Sequence, residues 1–172
     1  LISRKINFSL ENISKLSFTL KIRGYIALLK LRLSSLVVMS AFFGFLLADG
    51  NLTSYTFLNL ILGGLLITGS SNGFNQIIEH KTDELMSRTL SRPLPCKVLS
   101  IPEALTFCII AGALGLYLLA SINFSSFILG LLAMVVYTVI YTPLKKITPF
   151  AVFIGAIPGS IPPLLGYVAV SN

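Results

Sequence analysis

Five long apolar runs, joined by short polar links, are the feature that most restricts how this chain can fold. The first begins at about Tyr25 or Leu33 and ends at Ala48, and the others cover residues 57–78, 101–121, 124–141 and 149–170. A helix of this length crosses a hydrocarbon core of about 30 Å. Unpaired backbone polar groups are costly in lipid, so helices are the expected form of each run. The sequence therefore predicts an all-α, polytopic transmembrane helix bundle with five spans.

The composition agrees with this fold class and excludes an ordinary soluble domain. Hydrophobic residues make up 55% of the 172 residues and charged residues only 11%, whereas charged residues approach about 25% in soluble domains. The net charge of +7 would suit nucleic acid. However, the basic residues flank apolar spans and lack the interleaved aromatic residues that stack bases. We expect an integral membrane protein in contact with the lipid bilayer, with no nucleic-acid partner.

The basic residues also predict the topology. All thirteen Lys and Arg residues lie before the first span, between the second and third spans, or between the fourth and fifth. The positive-inside rule places these segments on the cytoplasmic side of the membrane, or on the equivalent matrix side. The polar stretch at residues 72–95 and the loop containing Lys145 and Lys146 should therefore face the same water.

The polar stretch at residues 72–95 carries three of the six acidic residues of the chain. If the second apolar run continues as a helix, Asn75, Glu79 and Asp83 follow at i, i+4 and i+8 and share one face. An amide oxygen and two carboxylates one turn apart suit a hard cation such as Mg²⁺. The residue types therefore predict a metal site at the membrane surface.

The arginines that follow extend this interpretation to a phosphate ligand. Arg88 and Arg92 carry the forked donors that phosphate oxygens prefer. A charged stretch between two apolar runs is also typical of a plain solvated loop. The helical spacing of the acidic residues favours the metal–diphosphate site, because Lys and Arg are the usual anchors at the end of a span.

Prolines predict where two helices end or bend. Pro93 disfavours helical geometry in the residue before it, so the helix with the acidic residues should end by about Ser91, with a turn at residues 94–96. The fifth span contains three prolines, Pro158, Pro162 and Pro163. It should be kinked or broken, with freed carbonyls lining a cavity or packed against neighbouring helices.

Two further features carry less information. Residues 1–24 are basic and partly apolar, which predicts an amphipathic lead-in on the membrane surface before a transmembrane domain at residues 25–172. Cys96 and Cys108 have no His or second Cys at metal-binding spacing, so we expect a reduced pair without a special role.

The motif N-Q-I-I-E-H-K-T-D, which starts at Asn75, resembles the UbiA superfamily of intramembrane prenyltransferases. The first motif of that superfamily is N-x-x-x-D-x-x-x-D; Asn75 and Asp83 match it, and Glu79 replaces the middle aspartate with a carboxylate one methylene longer. The tail D-x-x-M-x-R-T-x-x-R-P-L is similar to the haem O synthase branch, as are Y-T-P-L-K-K-I-T-P from Tyr141 and I-G-A-I-P-G-S-I-P-P-L-L-G-Y from Ile154. The resemblance covers about residues 25–167.

The resemblance implies a nine-helix bundle, of which this chain would hold the first five helices, with a reaction chamber open to the membrane. It implies transfer of the farnesyl group of farnesyl diphosphate to a vinyl group of haem B, giving haem O and diphosphate, with Mg²⁺ as cofactor. The expected metal ligands and catalytic residues are Asn75, Glu79 and Asp83. The expected diphosphate-binding residues are Arg88, Arg92, Lys145 and Tyr141.

The resemblance also implies a second acidic motif beyond the fifth span, so we expect this chain to be an N-terminal portion. It implies a bacterial plasma (inner) membrane, with the acidic motif on the cytoplasmic side, and an association with haem A synthase or cytochrome oxidase assembly. His80, alone beside a carboxylate, is more typical of a surface residue than of a haem ligand.

Two alternatives remain open from the sequence. A quinone-type prenyltransferase shares the first motif, and only the tail from Asp83 and the proline-rich fifth span argue against it. A cation-coupled transporter also uses intramembrane carboxylates and broken helices. That alternative expects acidic residues near the bilayer midplane, whereas these lie at the end of a span.

Overall fold

A computed structural model of the protein describes residues 18–171, which are mostly helical and contain no strand. The elements, in chain order, are α1 (residues 18–29), α2 (Leu31–Leu47), α3 (Tyr55–Asp83), α4 (Ile101–Ala120), α5 (Phe124–Val135), a π-helical turn (Val136–Tyr141), α6 (Thr142–Leu144) and α7 (Ala151–Ser171). They form five stretches long and apolar enough to cross a membrane, with α1 and α2 in the first and α5 to α6 in the fourth. The predicted all-α bundle with five spans is confirmed.

The first stretch is interrupted between α1 and α2. Lys30 adopts a left-handed backbone conformation, with φ 46° and ψ 53°. The interruption frees carbonyl groups that need other donors. The Gln76 amide donates to the Leu28 carbonyl (3.0 Å) and the Ser34 hydroxyl donates to the Leu29 carbonyl (2.7 Å). Polar side chains thus replace the helical hydrogen bonds at this break.

The predicted boundary at residue 24 falls inside a helix, since residues 18–24 continue into the rest of α1. Residues 1–17 of the predicted lead-in lie outside the described residues. The division into a lead-in and a transmembrane domain stays a prediction.

Helix α3 carries the predicted metal motif. It begins at an N-cap, where the Ser54 hydroxyl accepts from the Phe57 backbone N–H, and it runs without interruption to Asp83. The predicted helical continuation through the motif is confirmed. The helix ends before the predicted limit at Ser91, because the buried Thr89 hydroxyl caps the Asp83 carbonyl (2.8 Å).

The segment between α3 and α4 folds into successive turns, as predicted around Pro93. It is held against α1 and α4 by a small apolar cluster of Leu28, Leu94, Leu99 and Ala104. The larger core lies deeper in the bundle and consists of Phe45, Leu60, Ile67, Leu119, Leu165 and Ala169. Between them, the two clusters connect the site-bearing segment to the rest of the bundle.

The sequence predicts a fifth span that is kinked or broken. Helix α7 is continuous through its three interior prolines, so it is not broken, and a kink stays a prediction. The reason for its continuity is its close packing against α2. A Cβ atom on Gly44 would lie 1.9 Å from the Pro163 carbonyl oxygen, and one on Gly166 would lie 1.9 Å from the Ala41 carbonyl oxygen. Backbones at this distance gain van der Waals contact in a membrane, where small residues drive helix association. The contact holds α7 in helical form despite its missing N–H donors.

Candidate functional site

A cluster of charged side chains forms where the end of α3 meets two loops. The Lys145 ammonium donates to Asn75 Oδ1 (2.9 Å) and forms an ion pair with Glu79 Oε2 (3.1 Å). One turn further along α3, Arg92 Nη1 donates to Asp83 Oδ2 (2.5 Å). The structure therefore brings together the three predicted metal ligands and two of the predicted diphosphate-binding residues.

The cluster is largely removed from solvent. Asn75 is 2% exposed and Asp83 is 4% exposed, and the side chains of Glu79, Arg92 and Lys145 are between 14% and 29% exposed. Partly buried charges interact more strongly than they would in water, but each must be paired to offset its desolvation. Two carboxylates and two cations pair one to one here.

The π-helical turn connects the loop of Lys145 to the motif. The buried Thr142 donates its backbone N–H to the Tyr137 carbonyl, and its hydroxyl lies 3.2 Å from Asn75 Oδ1 and 2.8 Å from that same carbonyl. A hydroxyl has one hydrogen, so it donates to one of these oxygens at a time. The Tyr141 ring packs against the Tyr137 ring in a tilted arrangement with centroids 5.4 Å apart, and the Lys145 ammonium lies 5.5 Å from the Tyr141 ring centroid. Tyr141 thus lies beside Lys145, as predicted.

Not every predicted residue joins the cluster. Arg88 is exposed and, within residues 18–171, its guanidinium makes no ion pair or hydrogen bond. It precedes the buried Thr89, and neighbouring residues in a turn point to different sides. Lys146 reaches the Thr82 hydroxyl at 3.4 Å, and His80 Nδ1 contacts the Ile77 carbonyl within its own helix. A role for Arg88 stays a prediction.

Lys30 and Thr142 are site residues that the sequence analysis missed. Lys30 is half-buried and interacts electrostatically with four charged residues of the cluster, namely Arg92, Lys145, Glu79 and Asp83. A lysine inside an apolar stretch is a sequence signal of a functional residue, but the position of Lys30 depends on the left-handed break, which the sequence does not show. For Thr142, the only signal was its place between an apolar span and a proline.

A cavity of about 240 Å³ adjoins the cluster on the side of the bundle interior. It lies among α2, α3, α5, the π-helical turn and α7. Ser71 and Asn72 line it one turn before Asn75, and Tyr137 lines it one turn before Tyr141. Its other walls are mostly apolar and include Leu33, Val37, Ile67, Met134, Pro158 and Pro162. A ligand that binds the cluster through a polar head group can therefore place an apolar tail in this cavity.

The oxygen atoms on α3 fit a hard divalent cation. Within the described chain, no group of three or more His, Cys, Asp or Glu residues is placed to hold a metal. A cation here would therefore need the Asn75 amide oxygen in addition to Glu79 and Asp83. Mg²⁺ commonly takes one or two carboxylates and completes its shell with water and substrate phosphate. The donor set fits Mg²⁺ once Lys145 and Arg92 turn to another anion.

Proteins of known name share much of this sequence. The chain is 43% identical over 156 residues to a protein named protoheme IX farnesyltransferase from Cytophaga hutchinsonii, covering 87% of this chain and 53% of the relative. It is 42% identical over 154 residues to the mitochondrial protein of that name from Arabidopsis thaliana, covering 87% of this chain and 36% of the relative. The chain spans about half the length of the first bacterial relatives it matches.

A solved structure and a family profile complete the comparison. A UbiA homologue from Archaeoglobus fulgidus bound to GPP and Mg²⁺ matches with a TM-score of 0.70 at 23% sequence identity, covering 87% of this chain and 54% of that chain. At this identity the likeness shows the fold. The profile of the UbiA prenyltransferase family matches residues 37–172. The resemblance seen in the motif at Asn75 is confirmed, and the chain is an integral membrane protein that belongs to the UbiA prenyltransferase family.

Proposed function

We propose that this protein is a haem O synthase, which transfers the farnesyl group of farnesyl diphosphate to a vinyl group of haem B and releases diphosphate. The observation that carries the proposal is the convergence of Arg92 and Lys145, from two different loops, on the oxygens of Asn75, Glu79 and Asp83. The names of its relatives support the substrate assignment.

The paired charges suit an exchange of partners on substrate binding. The Arg92 guanidinium and the Lys145 ammonium are donors that bind phosphate oxygens as well as carboxylates. When they turn to the diphosphate, they release Glu79 and Asp83 as oxygen ligands. With Asn75, these carboxylates would hold Mg²⁺. A UbiA homologue solved with GPP and Mg²⁺ supports the presence of this metal in the fold. Mg²⁺ bound there would supply a Lewis acid that neutralises charge on the leaving group.

The reaction breaks the C–O bond at the first carbon of farnesyl diphosphate, and the electron pair stays with the diphosphate. Arg92 and Lys145 lie where that negative charge grows, so they stabilise the transition state more than the ground state. The remaining allylic cation accepts electrons from the haem vinyl group. Water then adds to the resulting cation beside the porphyrin and loses a proton, which gives the hydroxyethylfarnesyl group. The apolar cavity beside Tyr137 would hold the farnesyl chain away from water.

The same proposal covers place and partners. We assign residues 25–172 to the transmembrane prenyltransferase domain and residues 1–24 to a surface lead-in. The distribution of basic residues supports a site on the cytoplasmic side, and the bacterial relatives support a bacterial plasma membrane. Because haem O is apolar and stays in the membrane, an association with haem A synthase or cytochrome oxidase assembly would favour its transfer. Arg88 would reach the diphosphate only through a change in the turn that now points it outward.

The direct test is product analysis with the full-length protein in bacterial membranes that lack their own haem O synthase. Membranes receive farnesyl diphosphate, Mg²⁺ and either haem B or an aromatic quinone precursor, and the extracted products are separated and identified by mass spectrometry. The proposal predicts haem O that depends on farnesyl diphosphate. Prenylation of the quinone precursor in place of haem B would favour the quinone-type alternative, and failure to convert haem B would reject the proposal.

A further inference from the structure

The charges of the cluster do not balance once Lys30 is counted. Glu79 pairs with Lys145, and Asp83 pairs with Arg92. Lys30 also interacts electrostatically with these four groups, yet in the part of the chain that the structure describes its ammonium has no hydrogen bond or ion pair. The cluster therefore holds one positive charge more than it needs. A half-buried surplus charge is unfavourable unless an anion offsets it.

The backbone at Lys30 is also unfavourable by itself. A left-handed conformation crowds the Cβ atom of any residue other than glycine. Such conformations persist where the surrounding structure holds them, and they concentrate at functional sites. Lys30 is therefore held at a break in the first stretch, where a continuous helix would be the ordinary backbone.

The break is held by the helix that carries the motif. The Gln76 amide donates to the Leu28 carbonyl, and the Asn72 amide donates to the Ser34 hydroxyl (3.3 Å), which itself bonds to the end of α1. Gln76 and Asn72 are both buried, and they flank Asn75 on α3. The turn of α3 that presents Asn75 therefore also sets the position of Lys30.

A lysine at the end of a span often extends to the lipid head groups instead. Arg32 shows that arrangement: it is exposed, and it borders an outer groove of α1 and α2 whose wall also includes Lys30. No acidic residue of the described chain forms an ion pair with it. The two basic residues of this segment thus differ in exposure, and Lys30, which is half-buried, is the one that interacts with the charges of the cluster.

We propose that Lys30 binds the diphosphate of the prenyl substrate, as a third cation beside Arg92 and Lys145. This inference rests on the proposed function. Arg92 and Lys145 must leave a carboxylate before they can bind a phosphate oxygen, whereas Lys30 forms no ion pair with the residues that the structure describes. The Lys30 ammonium can therefore contact the substrate as soon as it binds to the free enzyme, and it should contribute mainly to binding affinity.

The test measures binding of farnesyl thiodiphosphate, which reacts slowly, with Mg²⁺ to the full-length protein in membranes. Lys30→Gly removes the ammonium but favours the left-handed backbone, so the break is kept. Lys30→Arg keeps the charge, and Arg32→Gln is the control for loss of a nearby charge. We expect Lys30→Gly to weaken binding about tenfold to a hundredfold, as the loss of a charge-assisted hydrogen bond does. Lys30→Arg should keep most of the affinity, and Arg32→Gln should match wild type.

The unfolding midpoint separates a charge effect from a structural one. Lys30→Gly should unfold at or above the wild-type midpoint while it binds the analogue less tightly. The inference is overturned if Lys30→Gly binds as wild type does, or if Lys30→Gly and Lys30→Arg lose affinity equally. If the wild-type protein itself does not bind the analogue, the proposed function fails and this inference fails with it.

Discussion

The crossing of α2 and α7 and the charged end of α3 both join distant segments, but by opposite means. At the crossing, Gly44 and Gly166 let two backbones touch without any side chain between them. At the charged end, the long side chains of Arg92 and Lys145 reach across to α3. The first region depends on shape, so any side-chain atom added at these glycines should destabilise it. The second depends on charge and should tolerate changes of shape that keep the charges.

The largest effect is expected from Gly166→Ala. Its Cβ atom would lie 1.9 Å from the Ala41 carbonyl oxygen, which is backbone and cannot turn away. Overpacking typically costs about 1–3 kcal/mol and occasionally more, and we expect the upper end or beyond. The measurement is the free energy of unfolding of the full-length protein in mild detergent.

Gly159→Ala is the matched control, because it lies in the same helix and a Cβ atom there meets nothing within 4 Å. It should leave stability unchanged, or raise it by about 0.5–1 kcal/mol through the better helix propensity of alanine. Equal stability of the two variants would mean that the close crossing is not what holds α7.

The second prediction concerns the Asp83–Arg92 pair. Asp83→Asn and Arg92→Gln should each lower stability, because each leaves a partly buried charge without its partner. The double variant should lose less than the sum of the two, with a coupling energy of about 1–3 kcal/mol. A double-mutant cycle from unfolding curves measures this term. Strictly additive losses would show that the pair does not stabilise the end of α3.

A smaller effect is expected at the cap of α3. Thr89→Val keeps the shape but removes the hydroxyl that donates to the Asp83 carbonyl. The buried carbonyl loses its partner, which should cost about 1–3 kcal/mol of unfolding free energy. Thr89→Ser keeps the donor and should lie closer to wild type. A Thr89→Val protein as stable as the serine variant would contradict the capping role.

The smallest effect is expected for Lys21→Met. Lys21 pairs with Glu103 at the outer surface, where both side chains are solvent-accessible, and such pairs contribute little. The unfolding midpoint should be unchanged within error, in contrast to the Asp83–Arg92 pair. A clear drop would show that charge pairs stabilise this bundle wherever they lie.

Much of the fold was predictable, because hydropathy and proline chemistry act locally. Five spans, the helical motif through Asp83 and the turn after Pro93 all followed from such signals. The convergence of Lys145 on the motif followed from the placement of both loops on one side of the membrane. These features depend little on which helix packs against which.

The rest depends on tertiary contacts that a single sequence does not display. The break at Lys30 is held by the side chain of Gln76, which is distant in sequence. The continuity of α7 through its prolines depends on Gly44 of another helix. The outward direction of Arg88 follows from the buried cap at Thr89. The first two cases depend on a contact with another helix, and the third depends on a local cap within the same turn.

The most direct test of the account is a Mg²⁺ titration of haem O formation by membranes that contain the full-length wild-type protein or Asp83→Asn. Wild-type transfer should cease on chelation and return when Mg²⁺ is added back. Asp83→Asn should remain at least about a hundredfold slower at every Mg²⁺ concentration, because losing a metal ligand costs several kcal/mol and each 1.36 kcal/mol is about tenfold in rate. Glu79→Asp keeps a carboxylate and should retain part of the activity. Wild-type transfer that survives chelation, or an Asp83→Asn rate within about tenfold of wild type, would contradict a metal–diphosphate site at this end of α3.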